Sequence, residues 1–135
     1  MAYRFTARGV AAEVDVDGEM QAGVAEEEEG FFLLFTCAVS EPSAQDIALG
    51  VDTYCVMTLD QCTAYGCVRE VALTDGLLTV SLDPECLDDL ELEDAEVEAV
   101  LDVPAESIDE MREVLVKVLT FGRRSARPRL TGFSV

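Results

Sequence analysis

The sequence predicts an α+β fold: a mostly antiparallel sheet of six or seven strands packed against a C-terminal helix, with one or two short connecting helices. Three observations predict it. Apolar residues recur at a period of two through most of the first hundred positions, which is strand spacing. The dipeptides Asp17-Gly18 and Asp75-Gly76 lie between such runs and favour two-residue hairpins. Near the end, Ile108, Met111, Leu115, Val118 and Leu119 change to helical spacing. Half of the 135 residues are hydrophobic, so a core forms despite 28 acidic side chains against nine basic ones. The length fits one domain, read as residues 1–121, followed by a basic flexible tail at 122–135.

The elements follow in order. Tyr3, Phe5 and Ala7 alternate with polar neighbours, and so do Val10, Ala12, Val14 and Val16, but the phase slips by one at Gly9. A β-bulge there would keep both apolar sets on one face of a single strand. Met20, Ala22 and Val24 continue on the return strand after Asp17-Gly18. Residues 31–39 are apolar on both faces, which suits a central strand covered on both sides. Residues 43–49 are weakly helical and end at Gly50. A strand over 54–59, a loop over 60–64, and a hairpin of 65–73 with 77–82 come next. Asp83-Pro84 is a helix start, an N-cap acid before proline, for a short helix over 84–90. Ala95, Val97, Ala99 and Leu101 alternate with acids and read as a strand. Ser107 and Glu110 form a capping box worth about 1 kcal/mol at the head of the last helix, and Gly122 closes it.

The formal net charge is −19, with no histidine. Such a surface repels nucleic acid and anionic membrane, attracts basic proteins, and raises association rates by about 10 to 10³. Residues 122–135 hold four arginines and no acid, which leaves −23 on residues 1–121. The tail is either a flexible appendage or an arm on the protein's own acidic surface. Five cysteines without a C-x-x-C pair suit reduced thiols. The start has no apolar run typical of a secretory leader, and the arginine-over-lysine bias fits a GC-rich bacterial genome. Together these place the protein in a bacterial cytoplasm.

Absent residues exclude chemistry. Without histidine there is no Ser-His-Asp or Cys-His catalysis within the chain and no histidine metal ligand. No Gly-rich phosphate loop occurs, and the acids around 83–91 lack the spacing of a calcium loop. The sequence therefore implies no enzyme, no metal and no cofactor, and its length of apolar run implies no membrane span.

One stretch is distinctive. Gly50-Val51-Asp52-Thr53-Tyr54 leads into a strand, Asp60-Gln61 follows it, and Tyr65-Gly66-Cys67 opens the next. This pattern resembles the immunity protein 10 family of bacterial polymorphic toxin systems, over residues 3–121. Val51 stands where the family has methionine, a small apolar exchange. Cys67 stands where the family has a second glycine, so the backbone at 67 needs no left-handed conformation. The resemblance implies an α+β immunity protein that binds and neutralises a cognate toxin. With the charge of the chain, the expected mode is stoichiometric inhibition of a basic toxin, a nuclease being one such toxin. It transfers no binding residues.

Candidate partner-binding residues come from the chain itself. Asp52, Asp60 and Gln61 form a polar patch for the toxin, or they shape local turns. Tyr54 and Tyr65 anchor an interface, or they are half-buried strand residues. Asp94, Glu96 and Glu98 form an acidic ribbon that mimics a phosphate backbone, or a solvated charged edge. The cysteines read as small buried apolar residues, with Cys62 the exception. Rival functions are an acidic chaperone or scaffold for a secreted effector, and an enzyme built on Cys62 or a carboxylate. The oligomeric state is open.

Overall fold

Two places where the strand alternation breaks decide the architecture. In the computed structural model, residues 2–16, 19–26, 30–38, 44–49, 53–58, 62–121 and 127–132 are described. At the first break, the Ala7 carbonyl accepts from Asp102 N at 2.8 Å, whereas Arg8 N donates to Ala25 O at 2.9 Å. Neighbouring residues thus belong to different sheets. Strand β1 (Ala2–Ala7) pairs in parallel with β9 (Glu96–Leu101), and β2 (Gly9–Val16) pairs antiparallel with β3 (Glu19–Ala25). At the second break, Gly66 N donates to Tyr54 O at 3.1 Å, whereas the Cys67 carbonyl accepts from Asp83 N at 2.8 Å. Gly66 takes φ 63°, which a residue without a Cβ adopts at no steric cost. The left-handed position therefore falls on Gly66, and Cys67 is free of it. Strand β6 (Thr63–Tyr65) ends before this turn and β7 (Val68–Thr74) begins after it.

Among the described residues, the result is two five-stranded sheets. The first runs β1-β9-β8-β7-β10, with β8 at Leu77–Leu82 and β10 at Arg129–Thr131. The second runs β2-β3-β4-β5-β6, with β4 at Phe32–Ala38 and β5 at Cys55–Met57, and is antiparallel throughout. The expected α+β fold, one sheet of six or seven strands on a C-terminal helix, is overturned by these ten strands: the protein is mostly β. The physical reason is specific. Both phase breaks are sheet changes, so two expected strands are four. The tenth strand, β10, comes from the arginine-rich C-terminal segment and lies parallel to β7, with Arg129 3.9 Å from Glu70.

Helices are few: α1 (Ala44–Leu49), α2 (Leu87–Leu90) after a 3₁₀ turn at Pro84–Cys86, and α3 (Ala105–Leu119). Asp83 caps the 3₁₀ turn as expected, its carboxylate accepting from Glu85 N at 3.0 Å. The capping box at Ser107 and Glu110 does not form. Pro104, with φ fixed near its helical value, starts α3 three residues earlier, and its carbonyl accepts from Ser107 N and Ile108 N. The apolar stripe of α3 is buried at Met111, Val114, Leu115, Val118 and Leu119, and α3 packs on β2, β3 and β4. These side chains join one core with Phe5, Val80 and Val97 of the first sheet and Val24, Leu33 and Phe35 of the second. The β7–β8 hairpin turns at Asp75 and Gly76, both at positive φ as a type I′ turn requires. Val16 faces Glu19 across the β2–β3 hairpin, whose Asp17-Gly18 turn lies outside the described residues, as do Gly50 and Gly122.

Candidate functional site: an acidic cleft where the sheets meet

Tyr3 leaves β1 beside Phe5, and Phe31 enters β4 beside them both. Their rings cluster, Tyr3 tilted 4.8 Å from Phe31 and Phe5 edge-on to it at 5.0 Å between ring centres. Tyr3 stays 39% exposed and lines the cleft above it. Above this floor is a cleft of about 400 Å³, walled by Thr58, by residues 90–94 and by Val97. Glu91, Glu93 and Asp94 supply its charge.

The wall is held from both sides. Leu90 is buried and anchors the end of α2. Thr58, which follows β5, is buried and donates its hydroxyl to Leu90 O at 2.8 Å. Cys62 Sγ donates to Glu91 Oε2 at 3.2 Å. Leu92 N bonds to Leu87 O and Glu91 N to Asp88 O, the paired bonds that close a helix around a left-handed residue. That residue is Glu91, at φ 54° and ψ 41°, where glycine is the usual occupant. Glu91 thus holds, at the rim of the cleft, a conformation that glycine adopts without strain. Among the described residues, ion pairs engage Glu98, Asp83, Asp109 and Glu70, and none engages Glu91, Glu93 or Asp94.

The distinctive 50–67 stretch has a different task. Tyr54 is fully buried, and its hydroxyl accepts from Val68 N at 3.1 Å and donates to Val68 O at 3.2 Å. One phenol thereby ties the entry to β5 in one sheet to the start of β7 in the other. The sequence model of the Immunity protein 10 family matches residues 6–109. The chain belongs to that family. No curated protein and no solved structure matches it. Membership of the immunity protein 10 family implies a toxin as partner and favours inhibition over catalysis. Tyr54 and Val68, which fasten the two sheets, lie within the matched residues.

Against that identity, the expected site residues fall into separate groups. Asp52, Asp60 and Gln61 lie outside the described residues. Tyr54 has no surface to present, because burial and the two bonds to Val68 consume it. Tyr65 is 46% exposed on β6. Asp94 lines the cleft, and Glu96 is exposed two residues along the same chain. Glu98 is held by Arg4, Nε to Oε1 at 3.0 Å, so the ribbon is partly neutralised within the protein. The ribbon's strand, β9, lies between β1 and β8 and is not an edge. Glu93, Tyr3 and Phe31 carry no signal in sequence. Glu91 carries one: it stands at a helix stop that lacks a glycine.

Three carboxylates over an aromatic floor do not make an acid–base pair, and no histidine is present to complete one. The arrangement accepts a cation. A guanidinium or ammonium group would donate charge-assisted hydrogen bonds to the carboxylates and lie against the Tyr3 ring. Cys37, Cys55 and Cys67 are buried, and burial pushes the thiols of all three up, that of Cys37 to about 11. Buried, protonated thiols are poor nucleophiles.

Proposed function

We propose that this protein neutralises a cognate toxin domain in the bacterial cytoplasm by binding it one to one, with the acidic cleft receiving cationic side chains of the toxin. The family match carries the reading. The cleft supports its electrostatic half, because Glu91, Glu93 and Asp94 are free of internal ion pairs among the described residues. A nuclease is the toxin class whose cationic groove such carboxylates suit, since they stand in for backbone phosphates. Co-expression tests the proposal. Cells producing the toxin domain encoded beside this gene should survive when the protein is present and die when it is absent. Continued killing in the presence of soluble, folded protein would overturn it.

A further inference from the structure

The two sheets present outer faces of opposite character. On the first sheet, the outward positions include Arg4, Glu96, Glu98, Thr79, Ser81 and Glu70, in register with one another and cross-linked by Arg4–Glu98 and Arg129–Glu70. That is an ordinary solvated face. On the second sheet, inward positions such as Val24, Leu33, Phe35 and Val56 are in the core. Because side chains alternate, the residues between them point out. The register sets Ala25 beside Phe32, Leu34 beside Met57 and Cys55 beside Tyr65. Phe32, Leu34 and Met57 are half-buried and Tyr65 is exposed. Next to them is a shallow groove of about 280 Å³ whose floor is Gly9, Ala11, Gly23 and Ala25. Among the described residues, α3 joins this sheet through the core, α2 meets it at β6, and no helix makes an extensive contact across the Phe32, Leu34 and Met57 positions.

Charge says what covers it. Residues 9–68, which contain the whole second sheet, hold twelve carboxylates and no lysine or arginine. Glu13 and Glu19 stand exposed on β2 and β3 beside the apolar positions. All nine basic residues of the protein lie elsewhere in the chain. Arg8, whose N–H bonds to Ala25 O, is a basic residue at the end of the groove, so the described charges beside the face are Glu13 and Glu19 against Arg8. A second copy would bring two such mainly acidic borders together, and like charges across an interface are costly. A partner with an apolar centre and a basic rim suits both parts of the surface.

We infer that the outer face of the second sheet, centred on Leu34, Met57 and Tyr65, is a docking surface for a toxin domain whose apolar contact patch is ringed by lysine and arginine. This rests on the toxin-neutralising reading and adds the surface. It also gives Tyr65, at an exposed position, the role of an anchor that burial denies to Tyr54.

The test titrates a catalytically inactive form of the toxin domain encoded beside the gene into wild-type protein, Leu34→Arg and Thr79→Arg. Leu34→Arg should weaken binding by about 100-fold, because it puts a charge in an apolar contact and repels a basic rim, whereas Thr79→Arg on the other sheet should stay within about threefold. Met57→Gln, a milder change on the adjacent strand, should cost about tenfold and serves if Leu34→Arg lowers the melting temperature. Wild-type affinity in both Leu34→Arg and Met57→Gln, with toxin still neutralised, overturns the docking surface and leaves the immunity reading standing. A wild-type dimer that Leu34→Arg splits without loss of toxin affinity also overturns it, by showing a second copy on the face. Failure of wild type to bind the toxin at all defeats the immunity reading first, and the surface with it.

Discussion

Replacing Tyr54 by phenylalanine removes one oxygen and tests how the two sheets are joined. The ring stays in the core, so no cavity of consequence opens. What is lost is a pair of bonds, at 3.1 Å and 3.2 Å, that satisfy both the N–H and the carbonyl of Val68. A buried donor left without its partner costs about 1–3 kcal/mol, and the carbonyl adds little because carbonyls tolerate weaker partners. We expect a loss of about 2 kcal/mol, which for a domain of this size lowers the melting temperature by about 7 °C. Urea unfolding monitored by circular dichroism reads the change directly. Tyr3→Phe, at a partly exposed ring, should shift stability by less than about 0.5 kcal/mol and serves as the control. If Tyr54→Phe costs no more than that control, the Tyr54–Val68 link does not fasten the sheets. A lowered dependence of stability on urea would add that the sheets have begun to unfold separately.

Other changes test other parts. Glu91→Gly relieves the left-handed strain and should raise stability by about 1 kcal/mol while weakening toxin binding, so equal affinity would remove Glu91 from the interface. Glu93→Lys should reduce the association rate about tenfold at low salt, with the difference shrinking as salt rises, and stopped-flow mixing with the toxin measures both. Alanine at Gly23 would drive its Cβ into the backbone carbonyl of Leu33, so Gly23→Ala should cost about 2 kcal/mol or more in urea unfolding. Cys37 gives a pH window. Burial first, and Glu19 nearby, raise its thiol from 9.0 to about 11, so the unfolded chain loses this proton before the folded one does. The stability it contributes is complete below pH about 9 and is lost as pH rises toward 11; Cys37→Val should flatten that fall in melting temperature, and an unchanged slope would refute the assignment.

Much of this structure is legible in sequence wherever the signal is local. Asp83-Pro84 starts a short helix, Asp75-Gly76 turns a hairpin, and the Met111–Leu119 stripe is core, because each rests on neighbours a few residues apart. The sheet count is not local. A one-residue slip at Gly9 fits a bulge and a sheet change equally well, and only Asp102, 95 residues further on, decides between them through its bond to Ala7. Gly66 poses the same ambiguity. The capping box failed because Pro104 set the helix start first. Of the cleft, the charge of Asp94 is legible in sequence. Tyr3, Phe31 and Glu93 are not, since the cleft exists only after β1, β4 and the 90–94 segment are brought together.

The most direct measurement is an endpoint titration. The active toxin domain encoded beside this gene is held at fixed concentration, and this protein is added while toxin activity is followed. Tight one-to-one capture predicts activity that declines in a straight line and reaches zero at equal moles. Activity that persists in several-fold molar excess, or that vanishes at a small fraction of an equivalent, would contradict stoichiometric inhibition.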